Sequence, residues 1–386
     1  MENNSLGFDP LSDLDSVNAE DVKNLQSISG LHYDRYVSIP KLEVQPVLRV
    51  LENLSKVSSD FYAKNLYISA DPKTITLKYT NSPYQLEYHL ENIAQKEFGP
   101  VAIPIIHIRR LLNSISTNLI FVEDQGSISV CLGENLLFVE TLPFDEKYYD
   151  FKFDVCSESL DFAYMKEHLK SFTSLLSVTN NAAEKNLICK GQNSYFNAGA
   201  ILGKARNFFG NHSVILSKTV VDSITALMDV CESGVLMNLS EGKMTLEFTG
   251  LAKFEFPVIT DEQTFESFLS PLFLNSFKYE NSALTSNESI RQLLSVVNVL
   301  DYFTSFVKLV FSSSCVTLQA FRKDGEQVNY EFPYLDGKLD KSEISVAIPV
   351  LLSVLSKSNS STRYSTVLNN LVIDLGSVIY CIRSNS

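Results

Sequence analysis

The sequence predicts an α+β protein of three tandem domains of similar build, each with two helices and antiparallel sheets. Three observations carry this. The tetrapeptide VAIP occurs twice, at Val101–Pro104 and Val346–Pro349, and each copy runs into an apolar helical segment. A related strand-to-helix junction, Ser213–Leu216 followed by Ser217, lies between them. The chain has 386 residues, too many for one ordinary hydrophobic core. With Pro104, Ser217 and Pro349 as equivalent points the intervals are 113 and 132 residues, each the size of a small domain.

The elements follow in the same order in each unit. A first helix is expected over Lys41–Val57, Leu160–Val178 and Ser286–Tyr302, where apolar residues recur at three- and four-residue steps. Pro46 should kink the first of these or delay its start. Strand-like runs such as Asn65–Thr80 and Phe306–Phe321 fill the space before the second helix. That helix opens at the repeated junction. Proline costs nothing in a first helical turn, because its missing N–H would have had no partner, and Ser217 should cap the middle copy. Residues 118–143, 234–259 and 366–383 then read as three short strands each, with tight turns such as Asp124-Gln125-Gly126 and Glu241-Gly242-Lys243. The expected domains are 31–152, 153–275 and 276–386. Residues 1–30 fall outside the pattern and carry six acids against one base, a net of −5. They read as a solvated, flexible arm, with partner binding or self-shielding as the second reading.

Composition excludes several classes. With 45% apolar and 20% charged residues the chain is of the globular type. No apolar run reaches the roughly 18 residues that cross a bilayer, and the N-terminus lacks the basic start and apolar middle of a signal peptide. A cytoplasmic protein without membrane contact is expected. The cysteines Cys131, Cys156, Cys189, Cys231, Cys315 and Cys381 stand far apart with no CxxC pair, which fits reduced thiols better than disulfides or zinc. A net charge of −13 argues against a surface that wraps nucleic acid from outside.

Catalytic signatures are missing. The histidines His32, His89, His107, His168 and His212 occur singly, with no HxH or HExxH spacing, and there is no GxSxG elbow. The segment Gly199-Ala200-Ile201-Leu202-Gly203-Lys204-Ala205 is similar to a phosphate-binding P-loop, but three residues separate its glycines where the motif needs four. Ala205 also stands where a Ser or Thr would hold Mg²⁺, so the segment reads as a glycine-bearing bend between strands. Carboxylates such as Glu266 fall at surface-type positions. No cofactor, metal or enzymatic activity is expected.

Specific words in the chain resemble one family. Glu140–Phe151, ETLPFDEKYYDF, is similar to the domain-ending segment of the bacterial DNA polymerase III β subunit, the sliding clamp. Asn211–Asp229 resembles its HSVIVPRK…ELMRML segment, and SVIYCIRS near the C-terminus resembles its YVVMPMRL tail. The resemblance runs from about His32 to Arg383. It implies the DNA clamp fold, a head-to-tail homodimer closed into a ring, and helices facing encircled double-stranded DNA without sequence preference. The cationic residues on those helices would be Lys41, Arg49, Lys56, Arg109, Arg110, Lys166, Lys170, Lys218, Arg291 and Lys357. Eight acids share these segments, leaving +2 there against −15 elsewhere. The family's pocket for short peptides of a DNA polymerase and a clamp loader would fall on Leu187, Gly199, Leu202, Ser217, Val221, Val378 and Tyr380. This chain departs from the family there, with NAGAIL at Asn197–Leu202 and serine at 217. Leu137 and Val139 would meet Val299 and Leu300 of a second copy. The expected function is a non-enzymatic processivity factor in DNA replication, of a phage or mobile-element type. The alternatives are a clamp-like tether for transcription or repair machinery and a nucleotide-dependent enzyme using the Gly199–Lys204 bend.

Overall fold

The computed structural model describes residues 33–55, 64–114, 118–132, 135–139, 141–142, 144–176, 185–301, 304–321, 327–358 and 362–384. The arm at 1–30 and Lys56 lie outside them. The first repeat comprises β1 (Arg35–Pro40), α1 (Lys41–Ser55), β2 (Asn65–Ala70), β3 (Thr74–Asn81), β4 (Tyr84–Glu91), β5 (Phe98–Pro104), α2 (Ile105–Ser114), β6 (Asn118–Asp124), β7 (Ser127–Leu132) and β8 (Asn135–Val139). The second comprises β9 (Glu158–Ser159), α3 (Phe162–Leu176), β10 (Asn186–Lys190), β11 (Asn193–Ala198), β12 (Ile201–Arg206), β13 (Val214–Ser217), α4 (Lys218–Val230), β14 (Val235–Ser240), β15 (Lys243–Phe248) and β16 (Ala252–Pro257). Two short helices follow, α5 (Glu262–Phe268) and α6 (Pro271–Asn275). The third repeat comprises β17 (Ala283–Thr285), α7 (Asn287–Leu300), β18 (Phe306–Phe311), β19 (Cys315–Phe321), β20 (Gln327–Pro333), β21 (Asp336–Gly337), β22 (Ser342–Ala347), α8 (Ile348–Leu355), β23 (Thr362–Val367), β24 (Asn370–Asp374) and β25 (Val378–Ile382). Strand, helix, four strands, helix, three strands recurs three times, with β21 the one addition.

The chain packs as two compact units, Met1–Phe162 with Asp222–Pro257 and Ala163–Val221 with Val258–Ser386. The second repeat is divided between them: β14–β16 belong to the first unit and β10–β13 to the second.

The first unit holds two sheets, a four-stranded one ordered β1-β6-β7-β8 and an eight-stranded one ordered β5-β2-β3-β4-β16-β15-β14-β9. Strict alternation of buried and half-buried residues along β3 and β4 marks a sheet with one face covered. Val44, Val47, Leu48, Leu51 and Leu54 of α1 and Ile105, Ile108, Leu111 and Leu112 of α2 are buried, and the two helices pack together. Pro46 sits inside α1 without delaying its start: the helix runs unbroken from Lys41, with apolar residues seated on either side of the proline.

The second unit holds a nine-stranded sheet, β13-β10-β11-β12-β25-β24-β23-β17-β21, and a four-stranded one, β20-β19-β18-β22. One face of the large sheet carries an aromatic core in which Phe172 of α3 meets Phe196 at 4.6 Å and Phe208 at 5.3 Å. Phe196 lies in turn 6.3 Å from Tyr380. The other face is covered by α5 and α6, which seat Phe265, Leu269 and Phe273, with Phe277 just beyond, against Ile188, Tyr195, Leu202, Ile215, Val372 and Cys381. Asp261 and Ser270 cap these helices by accepting the N–H of Thr264 at 2.8 Å and of Phe273 at 3.3 Å.

The three junctions differ in detail. Pro349 falls in the first turn of α8, as expected, whereas Pro104 is the last residue of β5, opposite Asn65, and α2 begins one residue later. Ser217 closes β13, and its Oγ accepts the N–H of Val220 at 3.4 Å, the capping role expected of it. The turn between β6 and β7 holds Gln125 at φ +48° and Gly126 at φ +78°, the left-handed pair that a two-residue hairpin demands.

Candidate interaction surfaces

Strand order reveals one building rule. In each repeat four strands between the two helices form the same ribbon: β5-β2-β3-β4, β13-β10-β11-β12 and β22-β18-β19-β20, with β21 pairing instead with β17. The first strand and the last three form another: β9-β14-β15-β16, β17-β23-β24-β25 and β1-β6-β7-β8. Within the first unit, β4 of the first ribbon pairs antiparallel with β16, placing Tyr88 opposite Ala252 and Gln85 opposite Glu255. Within the second unit, β12 pairs with β25 in the same way, from Ile201 opposite Ile382 to Ala205 opposite Val378. The third members of the two sets are β20 and β8. Among the described residues each pairs on one side only, β20 with β19 and β8 with β7. Such edges expose a row of hydrogen-bonding groups that another strand can satisfy.

The side chains expected at a contact between copies, on β8 and on α7, fit that role unevenly. Leu137 is 50% exposed and Val139 4%, while Val299 is 56% exposed and Leu300 6%. Two residues that sequence reasoning missed stand on the edge strands themselves: Phe138 on β8, 66% exposed, and Tyr330 on β20, 38% exposed. Alternation along LLFVE could have flagged Phe138, since its neighbours' faces are opposite to its own.

Eight of the ten expected cationic residues lie on helices. In the first unit, Arg49 on α1 and Arg109 and Arg110 on α2 are exposed and Lys41 is half-buried. Arg109 Nε donates to Glu52 Oε1 at 3.0 Å across the two helices. In the second unit Lys166 and Lys170 on α3 and Arg291 on α7 are exposed, and Lys218 at the start of α4 is half-buried. Lys357 is not helical. It lies beyond the end of α8, because the chain turns at Ser356, and its Nζ donates to Ser174 Oγ of α3 at 2.8 Å. Burial holds its pKa below the usual lysine value.

The seven residues expected to hold partner peptides all lie in the second unit: Leu187, Leu202, Ser217, Val378 and Tyr380 on strands of its large sheet, Gly199 in the turn between β11 and β12, and Val221 on α4. Leu187 is opposite Phe196, and Gly203 is opposite Tyr380, so Leu187, Tyr380 and Val378 belong to the aromatic face. Leu202 belongs to the face beneath α5 and α6. Leu187, Leu202, Val221, Val378 and Tyr380 are buried, Gly199 is half-buried and Ser217 is exposed. Burial also raises the phenol pKa of Tyr380. Covering of Leu202 by α5 and α6 was missed, yet Phe265, Leu269, Phe273 and Phe277 recur at four-residue steps in the sequence.

The P-loop-like segment is a β-hairpin. Gly199, at φ +68°, and Ala200 form the turn between β11 and β12, and Gly203 and Lys204 are strand residues opposite Tyr380 and Ile379. No helix follows to cradle a phosphate. Among the described residues no cluster of His, Cys, Asp and Glu could hold a metal ion, and no helix is long and apolar enough to cross a membrane.

No protein-family model and no curated protein matches the sequence. Solved structures do match. The DNA polymerase III subunit β of Pseudomonas aeruginosa aligns with TM-score 0.65 at 14% identity, over 90% of this chain and 99% of that one. The DNA polymerase sliding clamp of Caulobacter crescentus aligns with TM-score 0.67 at 14% identity, over 91% and 100%. The Helicobacter pylori β clamp bound to a DNA ligase peptide aligns with TM-score 0.67 at 12% identity, over 91% and 100%. Along nearly its whole length, this chain has the fold of the bacterial DNA polymerase III β sliding clamps.

Proposed function

We propose that the protein is a DNA sliding clamp: a processivity factor, without catalysis of its own, that encircles duplex DNA and tethers a replicative polymerase. One observation carries the reading beyond fold likeness. The same strand pairing occurs twice within the chain, β4 with β16 and β12 with β25, and its third pair, β20 of the third repeat and β8 of the first, is left open among the described residues. Two copies joined head to tail would complete that pair at two seams, and the closed assembly would contain three domains per subunit, at 31–152, 153–275 and 276–386. The exposed Leu137 and Phe138 on β8 supply apolar area for the seam, with Tyr330 on β20 and Val299 on α7 on the opposing side.

A closed ring also accommodates the charge. Encirclement retains DNA without the many phosphate contacts that tight binding from outside requires. The cations on α1, α2, α3, α4 and α7, with Lys357, would face the enclosed duplex, while the acidic remainder discourages binding from the wrong side. The Helicobacter pylori clamp binds a DNA ligase peptide. Polymerase and loader peptides would here enter the second unit from Ser217 and Gly199, displacing part of the cover over Leu202. Such a protein works in the cytoplasm. The deciding experiment compares retention on nicked circular and linear DNA of equal length, loaded alike, through a wash in high salt. A threaded ring stays on the circle and runs off the ends. Equal loss from both rules out encirclement.

A further inference from the structure

A pocket of about 280 Å³ opens between the end of α1 and the start of α2 in the first unit. Pro104, Ile105 and Ile106 form an apolar wall, and Glu52, Lys64 and Arg109 stand around it. Ile106 is 50% exposed, an apolar side chain left at the surface beside two cations. Because Glu52 is already engaged by Arg109 at 3.0 Å, the rim carries one positive charge in excess, with Arg110 next to it on the same helix. The matching occupant is an apolar side chain flanked by carboxylates.

The chain carries such a segment before the first described residue. Phe8, Leu11, Leu14 and Val17 recur at every third position, with Asp9, Asp13 and Asp15 set among them. Reach is ample. From Asp13 to Tyr33 an extended chain spans about 65 Å. The path from Tyr33 to the pocket along β1 and α1 is at most about 45 Å, from rises of about 3.3 Å per strand residue and 1.5 Å per helix residue.

We propose that the acidic arm docks back on its own unit: an apolar residue of Phe8–Val17 enters the α1–α2 pocket, and an adjacent aspartate pairs with Lys64 and Arg109. The ligand is thus a segment of this chain, recognised by apolar burial and charge together. Docking covers Arg109 and shields Arg110 at low ionic strength, and both are cations assigned to the DNA-facing surface. Docking itself stands apart from the clamp reading, but the consequence that duplex DNA must displace the arm rests on it.

Zero-length carbodiimide coupling of carboxylate to amine on the full chain tests this, with linked peptides identified by mass spectrometry. An equal mixture of unlabelled and ¹⁵N-labelled protein separates links within one copy from links between copies. The expected product joins Asp9, Asp13 or Asp15 to Lys64 within one copy. Replacing Phe8, Leu11 and Leu14 by serine leaves every carboxylate in place and should lower that product at least about ten-fold, the loss expected for one apolar anchor. Arm links spread over many lysines without preference for Lys64, or links found only between differently labelled copies, would overturn the docked arm. Saturating duplex DNA should abolish the Lys64 link. A link that survives DNA overturns the competition while the arm's docking stands, so the two failures are told apart.

Discussion

The ring of Phe196 lies against the α-carbon of Gly203 on the neighbouring strand: a β-carbon at 203 would fall 1.8 Å from Phe196 Cε1. Glycine is therefore required there by the ring, and the ring in turn is wedged between Phe172 and Tyr380. Gly203→Ala should destabilise the second unit by about 1–3 kcal/mol through overpacking. Urea unfolding reads this. The companion change Gly242→Ala is free of that clash, having open space around it, and should differ through backbone strain alone, at φ +72°.

A second prediction concerns acid. His89 Nε2 lies 3.0 Å from Glu87 Oε1, and Lys78 Nζ lies 3.1 Å from Glu87 Oε2. These bonds, the histidine's first, hold the Glu87 carboxyl down to about 2 from an ordinary value of 4.5. A depressed carboxyl stabilises the fold above its unfolded pKa and loses that contribution as pH falls through the folded value. The stability gap between the native protein and Glu87→Gln should thus be present above about pH 4.5 and should close between about pH 4.5 and 2. Guanidinium titrations at several pH values measure it. A gap independent of pH would contradict the assignment.

Self-association should depend on β8. Phe138 is 66% exposed, so Phe138→Glu leaves the core of the first unit untouched while placing a charge in the proposed seam. Sedimentation equilibrium should show the dimer dissociating ten-fold or more readily, a weakening of about 1.4 kcal/mol or greater. Thermal unfolding of the monomer should stay unchanged.

Charge on α3 should tune, and not create, retention on DNA. Removing two exposed cations with Lys166→Ala and Lys170→Ala should lower the slope of log affinity against log salt by up to about 1.8, at about 0.9 for each phosphate no longer neutralised. The advantage of circular over linear DNA should persist. Loss of that advantage would mean the cations, not topology, hold the duplex.

Much of this architecture was legible in the sequence. The VAIP repeats mark the strand-to-helix junctions, and Ser217 and Ser286 announce helix starts that their hydroxyls do cap, Ser286 accepting the Ser289 N–H at 3.0 Å. Those signals are local, written within a turn of chain. Strand neighbours are not local: alternation in Tyr84–Glu91 shows a half-covered strand but does not name β16 as its partner. The same limit applies to the peptide-site residues. Leu202 and Tyr380 are both apolar and both buried, and only the register, with Leu202 opposite Cys381 and Gly203 opposite Tyr380, assigns them to different faces. The apolar spacing of VLLSVLSK predicts a helical Lys357, yet the helix closes at Leu355.

The ribbon rule has an evolutionary corollary. A seam built from main-chain hydrogen bonds is blind to whether the strands it unites are connected elsewhere by peptide bonds. In the proposed ring, duplication or loss of one repeat would therefore alter how many polypeptides complete the circuit, yet leave each contact chemically the same, so gene length and subunit number would be exchanged for one another.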